Sequence, residues 1–246
     1  MDYVEKIKKW LEHHPFSIFL SGGKDSVATL LWVLDNVRNK HFNIIYVEIT
    51  GNTHKLCNWY VHYVAMTLGL EDKLLHLRNE KYDFFDCLIK WGIPLVQRYR
   101  WCEHHFKYCV YKDKMFRLAV VGLRQNESRR RMRLVRQPIT LSQRNPIPGS
   151  YIITPIWDWD LGQVIDYIKE HGLRLNPCYA KYGHGGNCMF CPYRTDAEII
   201  KTMHDPEWGP KIQRALTALL ERQKGPIGKQ IIERWLKLAT QTVLHV

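Results

Sequence analysis

A short apolar run, Phe16 to Leu20, leads directly into Ser21-Gly22-Gly23-Lys24-Asp25-Ser26, and a longer apolar run, Val27 to Val37, comes next. The first run has the length of a buried strand and the second that of a helix, so the chain must reverse between them within six residues. That junction calls for an α/β unit. It also suits an anion: two glycines let the backbone turn sharply and approach a ligand, amides at the helix start point toward it, and Lys24 adds a point charge. The expected ligand is a polyphosphate. The spacing is shorter than the G-x-x-x-x-G-K-[ST] loop, so this is a different kind of phosphate loop. Glycines at a β-to-α turn also occur without a ligand, so the reading rests on the hexapeptide as a unit.

The surrounding pattern alternates between the two periods. Asp2 to His14 reads as an amphipathic helix with Val4, Ile7, Trp10 and Leu11 on one face, stopped by Pro15. Strands are expected at His41 to Ile49, Lys73 to Leu77, Leu118 to Leu123 and Tyr151 to Ile156. Helices are expected at His54 to Leu68, Tyr99 to Phe116 and Leu161 to Glu170, the last capped by Asp158 or Asp160. This rhythm predicts an open, mostly parallel, doubly wound sheet with helices on both faces. Pro177 to Pro192 looks irregular. From Asp196 the pattern turns helical, with Ala215 to Gln223 and Lys229 to Leu244 clearest. The expected division is residues 1–195 as a nucleotide-binding α/β domain with a cysteine-rich segment at 178–192, and residues 196–246 as a helical extension. That extension is expected to cover the cysteine site, to pair two copies into a homodimer or to bind a partner.

Charge narrows the partners. Lys and Arg total 36 against 24 Asp and Glu, a formal charge of +12, which favours polyanions. Arg124 to Arg136 holds six arginines and one acid, Glu127, and precedes the Pro/Gly-marked stretch Pro138 to Gly149, so a mobile basic loop is expected. The longest apolar runs fall short of the roughly 20 residues a membrane span needs. Met1 to His14 carries no hydrophobic signal core. Seven cysteines, an odd number in a chain of 246 residues, suggest reduced thiols in the cytoplasm that bind metal or do chemistry.

Further motifs come in order: Gly92-Ile93-Pro94, Arg100-Trp101-Cys102 with Lys107 behind it, Gly122-Leu123-Arg124-Gln125-Asn126-Glu127-Ser128, Pro155-Ile156-Trp157-Asp158-Trp159, Asn176-Pro177, and Cys188-Met189-Phe190-Cys191-Pro192. Together with Ser21 to Ser26, this series resembles the phosphoadenosine phosphosulfate (PAPS) reductase-like family of the N-type ATP pyrophosphatase, or PP-loop, superfamily, over about Phe16 to Pro192. The resemblance implies an adenine nucleotide alpha hydrolase-like, Rossmann-like fold with an adenine nucleotide at the carboxyl ends of the strands. It implies nucleotide contacts from Ser21 to Ser26, Thr50, Gly51, Gly122, Arg124 and Glu127. Lys24, Asp25, Arg124 and Arg131 are the expected catalytic residues, because fixed cations stabilise the charge that develops on a transferring phosphate. Glu127 is expected to orient an arginine or to hold Mg²⁺.

Cys188-x-x-Cys191 beside glycines and a proline has the spacing of a metal knuckle, with a redox pair as the other reading. The resemblance adds Cys102. Cys109 lies seven residues further on, so an uninterrupted helix would bring it to the same face. A [4Fe–4S] cluster on Cys102, Cys109, Cys188 and Cys191 is the expectation. Zinc is the alternative, drawing a ligand from His184, His105 or Cys178. Cys57 and Cys87 read as core residues.

Three functions fit. The first is adenylation of a substrate oxygen by ATP with release of pyrophosphate, so that sulfur displaces AMP, on tRNA, DNA or a small oxyanion. The second is reduction of PAPS or APS to sulfite; sulfonucleotide reductases use a cysteine in a C-terminal segment and no cysteine follows Cys191 here, so this reading takes another cysteine, such as Cys178, as nucleophile. The third is a catalytically inactive, nucleotide-dependent nucleic-acid-binding protein that contacts its partner through Arg124 to Arg136.

Overall fold

The protein is described by a computed structural model covering residues 2–95, 99–127, 137–142, 149–223 and 225–240. Its centre is a six-stranded sheet built from β1 (Phe16–Phe19), β2 (Phe42–Glu48), β3 (Leu74–Arg78), β4 (Leu118–Val121), β5 (Ile139–Leu141) and β6 (Tyr151–Ile153), in the spatial order β3-β2-β1-β4-β6-β5. All neighbours are parallel except β5, which runs antiparallel to β6 at the edge. The order reverses between β1 and β4, whose register pairs Phe19 with Val121, and a crevice opens beyond that pair. Among the described residues no helix is long and apolar enough to cross a membrane.

Eleven α-helical segments accompany the sheet among the described residues: α1 (Tyr3–His13), α2 (Lys24–Asn36), α3 (Lys55–Thr67), α4 (Phe84–Trp91), α5 (Trp101–Glu103), α6 (Cys109–Tyr111), α7 (Leu161–Glu170), α8 (Cys178–Tyr182), α9 (Asp196–Met203), α10 (Trp208–Arg222) and α11 (Pro226–Leu238). Alternation along the strands sends side chains to two cores. Ile44 and Tyr46 enter one with Ile7 and Leu11 of α1, Leu30 of α2 and Val164 and Ile168 of α7. Ile45 and Val47 enter the other with Phe84 and Leu88 of α4, Phe190, and Ile212 and Leu216 of α10. Strands buried on both faces explain the continuous apolar runs.

Most expected elements are present, with differences that have local causes. Helix α2 starts at Lys24, three residues earlier than the apolar pattern indicates, with Gly23 as its cap. The helix expected over Tyr99 to Phe116 is instead α5 and α6 joined by a π turn, His104–Tyr108, in which the Cys109 N–H bonds to the His104 carbonyl. Helix α10 begins at Trp208, well before Ala215. Three elements are additional to those expected, one of them helix α8 (Cys178–Tyr182) within the stretch that reads as irregular. Asp83 caps α4 by accepting from the Phe85 N–H at 2.8 Å, and Gly92 closes it. Strand β5 is three residues long and lies within the stretch that reads as a loop.

One contact fixes the loop after β1 against the sheet. A Cβ on Gly122, just after β4, would stand 2.5 Å from the Asp25 carbonyl oxygen and 2.6 Å from the Ser26 nitrogen, so the first turn of α2 packs directly on this backbone. Gly122→Ala is expected to destabilise the fold by about 1–3 kcal/mol through overpacking. Urea denaturation should show a lower midpoint with an unchanged m value. An unshifted midpoint would mean that this approach is loose.

Candidate functional site

The loop after β1 is tied from within and from a distance. The Ser26 hydroxyl donates to the Gly23 carbonyl at 2.7 Å and accepts from the Ser21 N–H at 3.1 Å. Gly22 has φ +74°, and a Cβ there would meet Cys57 Sγ at 2.9 Å. Asn176, almost fully buried, donates its side-chain amide to the carbonyls of Gly22 and Gly185, each at 2.8 Å, and so joins this loop to the glycines before Cys188. Tyr179 accepts from the Lys24 N–H at 3.2 Å, while the Lys24 ammonium stands 5.5 Å from the Tyr179 ring.

Two chambers meet at this loop. The larger, about 510 Å³, lies over the strand ends, with Phe19, Ile45, Val47 and Val121 as its floor and Tyr108 and Tyr111 in its wall. The smaller, about 390 Å³, is polar and lined by the loop, Lys24, Tyr179, Arg194, Gly185 and Cys188. Ser21, Ser26, Lys107, Gly122 and Asn187 line both. One continuous cleft therefore offers an apolar wall at one end and cations with backbone amides at the other. A flat heterocycle joined to phosphates matches that division.

The expected site residues separate into groups. Ser21, Lys24, Asp25, Ser26 and Gly122 line the cleft, as does Gly23. Arg124 does not. It is buried behind the loop, its Nε donating to Asp25 Oδ1 at 2.5 Å and its Nη1 to the Trp159 carbonyl at 3.4 Å. Asp25 also pairs with Lys24 Nζ at 3.1 Å, so the arginine acts on the cleft through that carboxylate. Thr50 and Gly51 line neither chamber. The Thr50 hydroxyl donates to the Asn79 carbonyl, and Asp83 fills the space beside Gly51. The same turn instead supports the cysteine segment: Asn52 exchanges side-chain hydrogen bonds with the Phe190 N–H and carbonyl, and the Thr53 hydroxyl donates to the Asn187 carbonyl. Glu127 falls in a short 3₁₀ turn, Gln125–Glu127. Arg131, with Arg129, Arg130, Arg133 and Arg136 of the basic segment, lies outside the described residues.

Cys102, Cys188 and Cys191 are electrostatic neighbours. Burial, reinforced by Cys188 and Cys191, pushes the Cys102 thiol up to about 11, and burial and then Cys188 raise Cys191. Arg100 and Lys107 act on Cys102 in the opposite sense, as Arg194 and Arg100 do on Cys191. The Nε atoms of Arg100 and Arg194 are both buried without a hydrogen-bond partner among the described residues. Cys109 does not join this set: it is exposed, and its Sγ lies 3.5 Å from His104 Nε2. The π turn is the cause, because the one residue it absorbs rotates the downstream residues by about 100° relative to an unbroken α-helix. Cys57 and Cys87 are buried in the core, their thiols raised by burial to about 12 and about 11. Cys178 is buried beside Gly186, and His184 uses its Nδ1 to accept from the Gly186 N–H.

Sequence reasoning did not single out Tyr179, Gly185, Arg194 or Asn52 as site residues. Asn176 and Lys107 stood in the ordered motifs without an assigned role. The Asn-Pro pair before a Cys-rich loop was the available signal for Asn176, but its partner Gly22 lies far away in the sequence.

Comparison with known proteins agrees with this fold. The family model described as phosphoadenosine phosphosulfate reductase domain matches residues 15–194. An uncharacterized protein of Methanocaldococcus jannaschii, MJ0066, is 27% identical over 245 residues, which is 95% of this chain and 45% of that protein. The chain thus spans a little under half the length of this relative. Among solved structures, phosphoadenylyl-sulfate reductase from Candida auris in a phosphate complex has a TM-score of 0.52 at 17% identity, covering 73% of this chain and 84% of that one. The U34-tRNA thiolase NcsA from Methanococcus maripaludis, with its [4Fe–4S] cluster, has a TM-score of 0.51 at 15% identity, covering 98% of this chain and 80% of that one. At these identities the two likenesses establish the fold.

His184 gives the fold a pH-dependent stability. Burial, and then the nearby Arg194 and His54 charges, lower it to about 3, while its Nε2 lies 3.3 Å from the Thr202 hydroxyl. The unfolded chain then binds the extra proton below about pH 6.5, so stability is full above that value and falls as the pH drops toward 3, by at most about 1.4 kcal/mol per unit. Urea unfolding at pH 7.5 and 4.5 should show a smaller loss for His184→Gln than for the unchanged protein. Equal losses would assign the acid sensitivity elsewhere.

Proposed function

The chain belongs to the phosphoadenosine phosphosulfate reductase domain family, and from that premise we propose that it is an ATP pyrophosphatase-type enzyme that adenylates a substrate oxygen for sulfur transfer. The observation that carries the reading is the bipartite cleft. Its apolar chamber suits adenine, and its polar chamber, holding the loop with Lys24, Lys107 and Arg194, suits a triphosphate delivered as its Mg²⁺ complex.

In this reading the substrate oxygen attacks the α-phosphorus, the bond to the β-phosphate oxygen breaks, and pyrophosphate leaves against the loop. A sulfur nucleophile then forms a bond to the activated substrate carbon, and AMP departs with the oxygen. Lys24 and Arg194 stabilise charge on the phosphates. Asp25 holds Lys24, and Arg124 holds Asp25, which makes both positioning residues. Arg131 stays in the proposal on the sequence pattern alone.

The thiol trio supports the sulfur step, because Cys188 lines the same polar chamber. Cys102, Cys188 and Cys191 would hold a [4Fe–4S] cluster, and the unpartnered Nε atoms of Arg100 and Arg194 suit a buried group bearing negative charge. When bound by three thiolates, such a cluster supplies one iron without a protein ligand, at which sulfide can be carried. The net charge of +12 and the five arginines from Arg129 to Arg136 support a polyanionic acceptor, and tRNA is proposed first.

The test is incubation of anaerobically prepared protein with α-labelled ATP, Mg²⁺ and tRNA. AMP and pyrophosphate should form, and Lys24→Ala should slow their release by roughly 10²–10³-fold without loss of fold. Unchanged turnover in that variant would remove the loop from the reaction. Sulfite from PAPS and thioredoxin would favour a reductase instead. Salt-sensitive binding of nucleic acid without turnover would favour a binding protein. A colourless preparation holding zinc on the trio would remove the cluster.

A further inference from the structure

The π turn that takes Cys109 away from the other cysteines gives it a different set of neighbours. In an α-helix His104 and Cys109 would be about 140° apart around the axis. Here the i to i+5 hydrogen bond brings them onto one side, with Cys109 Sγ 3.5 Å from His104 Nε2. One ligand atom each from His104, His105 and Cys109 falls within 4.8 Å of the others. The imidazoles are held in place by packing: the His105 ring lies 4.8 Å from Trp91 and 5.4 Å from Tyr82, and the His104 ring 5.7 Å from Tyr108 and 5.9 Å from Tyr99. The Asn79 side chain donates to the His105 carbonyl at 2.7 Å and anchors the turn to the segment after β3. π turns of this kind recur at functional sites.

We propose that His104, His105 and Cys109 form a site for a divalent transition metal of the zinc class, separate from the Cys102, Cys188 and Cys191 trio. Two imidazole nitrogens and a thiolate are the donor set that zinc takes, and three protein ligands leave a fourth position for water or for a group of a bound molecule. His104 also lines the larger chamber, so the metal stands at the wall of the cleft, where it fixes the π turn. The proposal does not depend on which reaction the cleft performs.

The experiment uses the full chain, reconstituted anaerobically with iron and sulfide, equilibrated with Zn²⁺, freed of loose metal by gel filtration and assayed for both elements. The unchanged protein should carry one more zinc per chain than either His104→Gln or Cys109→Ser, with iron equal in all three. Cys109 is exposed and His104 half-buried, so neither change opens the core. If Co²⁺ replaces Zn²⁺, the tetrahedral visible bands should vanish in the same two variants. Equal zinc in all three proteins would overturn the proposal. So would a zinc that is lost in Cys188→Ser but kept in Cys109→Ser. Absence of iron from every sample would count against the cluster on the trio and leave the zinc difference readable.

Discussion

The buried carboxylate of Asp25 is the constraint around which the cleft is arranged. It accepts from Arg124 on one side and pairs with Lys24 on the other, within the first turn of a helix whose backbone rests on Gly122. A charge so placed is tolerated only when paired and hydrogen-bonded. The pair thereby links the loop after β1 to the segment after β4, the two strand ends that flank the switch point of the sheet. Removing Asp25 would leave the buried Arg124 without its carboxylate, so the geometry of the loop and the burial of Arg124 stand or fall together.

From that anchor the remaining parts fall into a division of labour. Asn176 and Tyr179 bind the loop to the chain segment that ends in Cys188, so the polar chamber and the thiol trio are held in one frame. On the far side of that segment, Asn52 and Thr53 hold the Cys188 to Cys191 turn against the end of β2. The C-terminal helices close this arrangement from outside: Tyr182 and Lys181 both donate to Asp205, and Trp235 packs edge-on against Phe190. Nucleotide chemistry and sulfur chemistry would meet at Cys188, which faces the polar chamber.

Much of this was legible in the sequence because it is encoded locally. The hexapeptide Ser21 to Ser26 between a strand-length and a helix-length apolar run specified the first crossover, and continuous apolar strands specified a sheet covered on both faces. What escaped depends on distant or non-periodic contacts. Arg124 sits at a strand end, where a side chain commonly faces a ligand, but the burial of Asp25 beside it draws it behind the loop. Thr50 and Gly51 occupy the expected place after β2, yet Asp83 and Asn79 take up the space beside them. The π turn at His104–Tyr108 leaves no mark on apolar spacing, so the face on which Cys109 emerges could not be read from the seven-residue interval. Helix α4, by contrast, had its signals in Asp83 and Gly92, and β5 was too short for any period to register.

The central claim is that an adenine nucleotide spans both chambers, with its phosphates along residues 21–26 and its base over the ends of β1, β2 and β4. Diffraction from crystals soaked anaerobically with ATP and Mg²⁺ tests it most directly. The account predicts density for the base beside Tyr108 and Tyr111 and for phosphate oxygens at the amides of Gly23 to Ser26 and at Lys24. Nucleotide density elsewhere on the protein, with the 21–26 turn left unliganded, would contradict it.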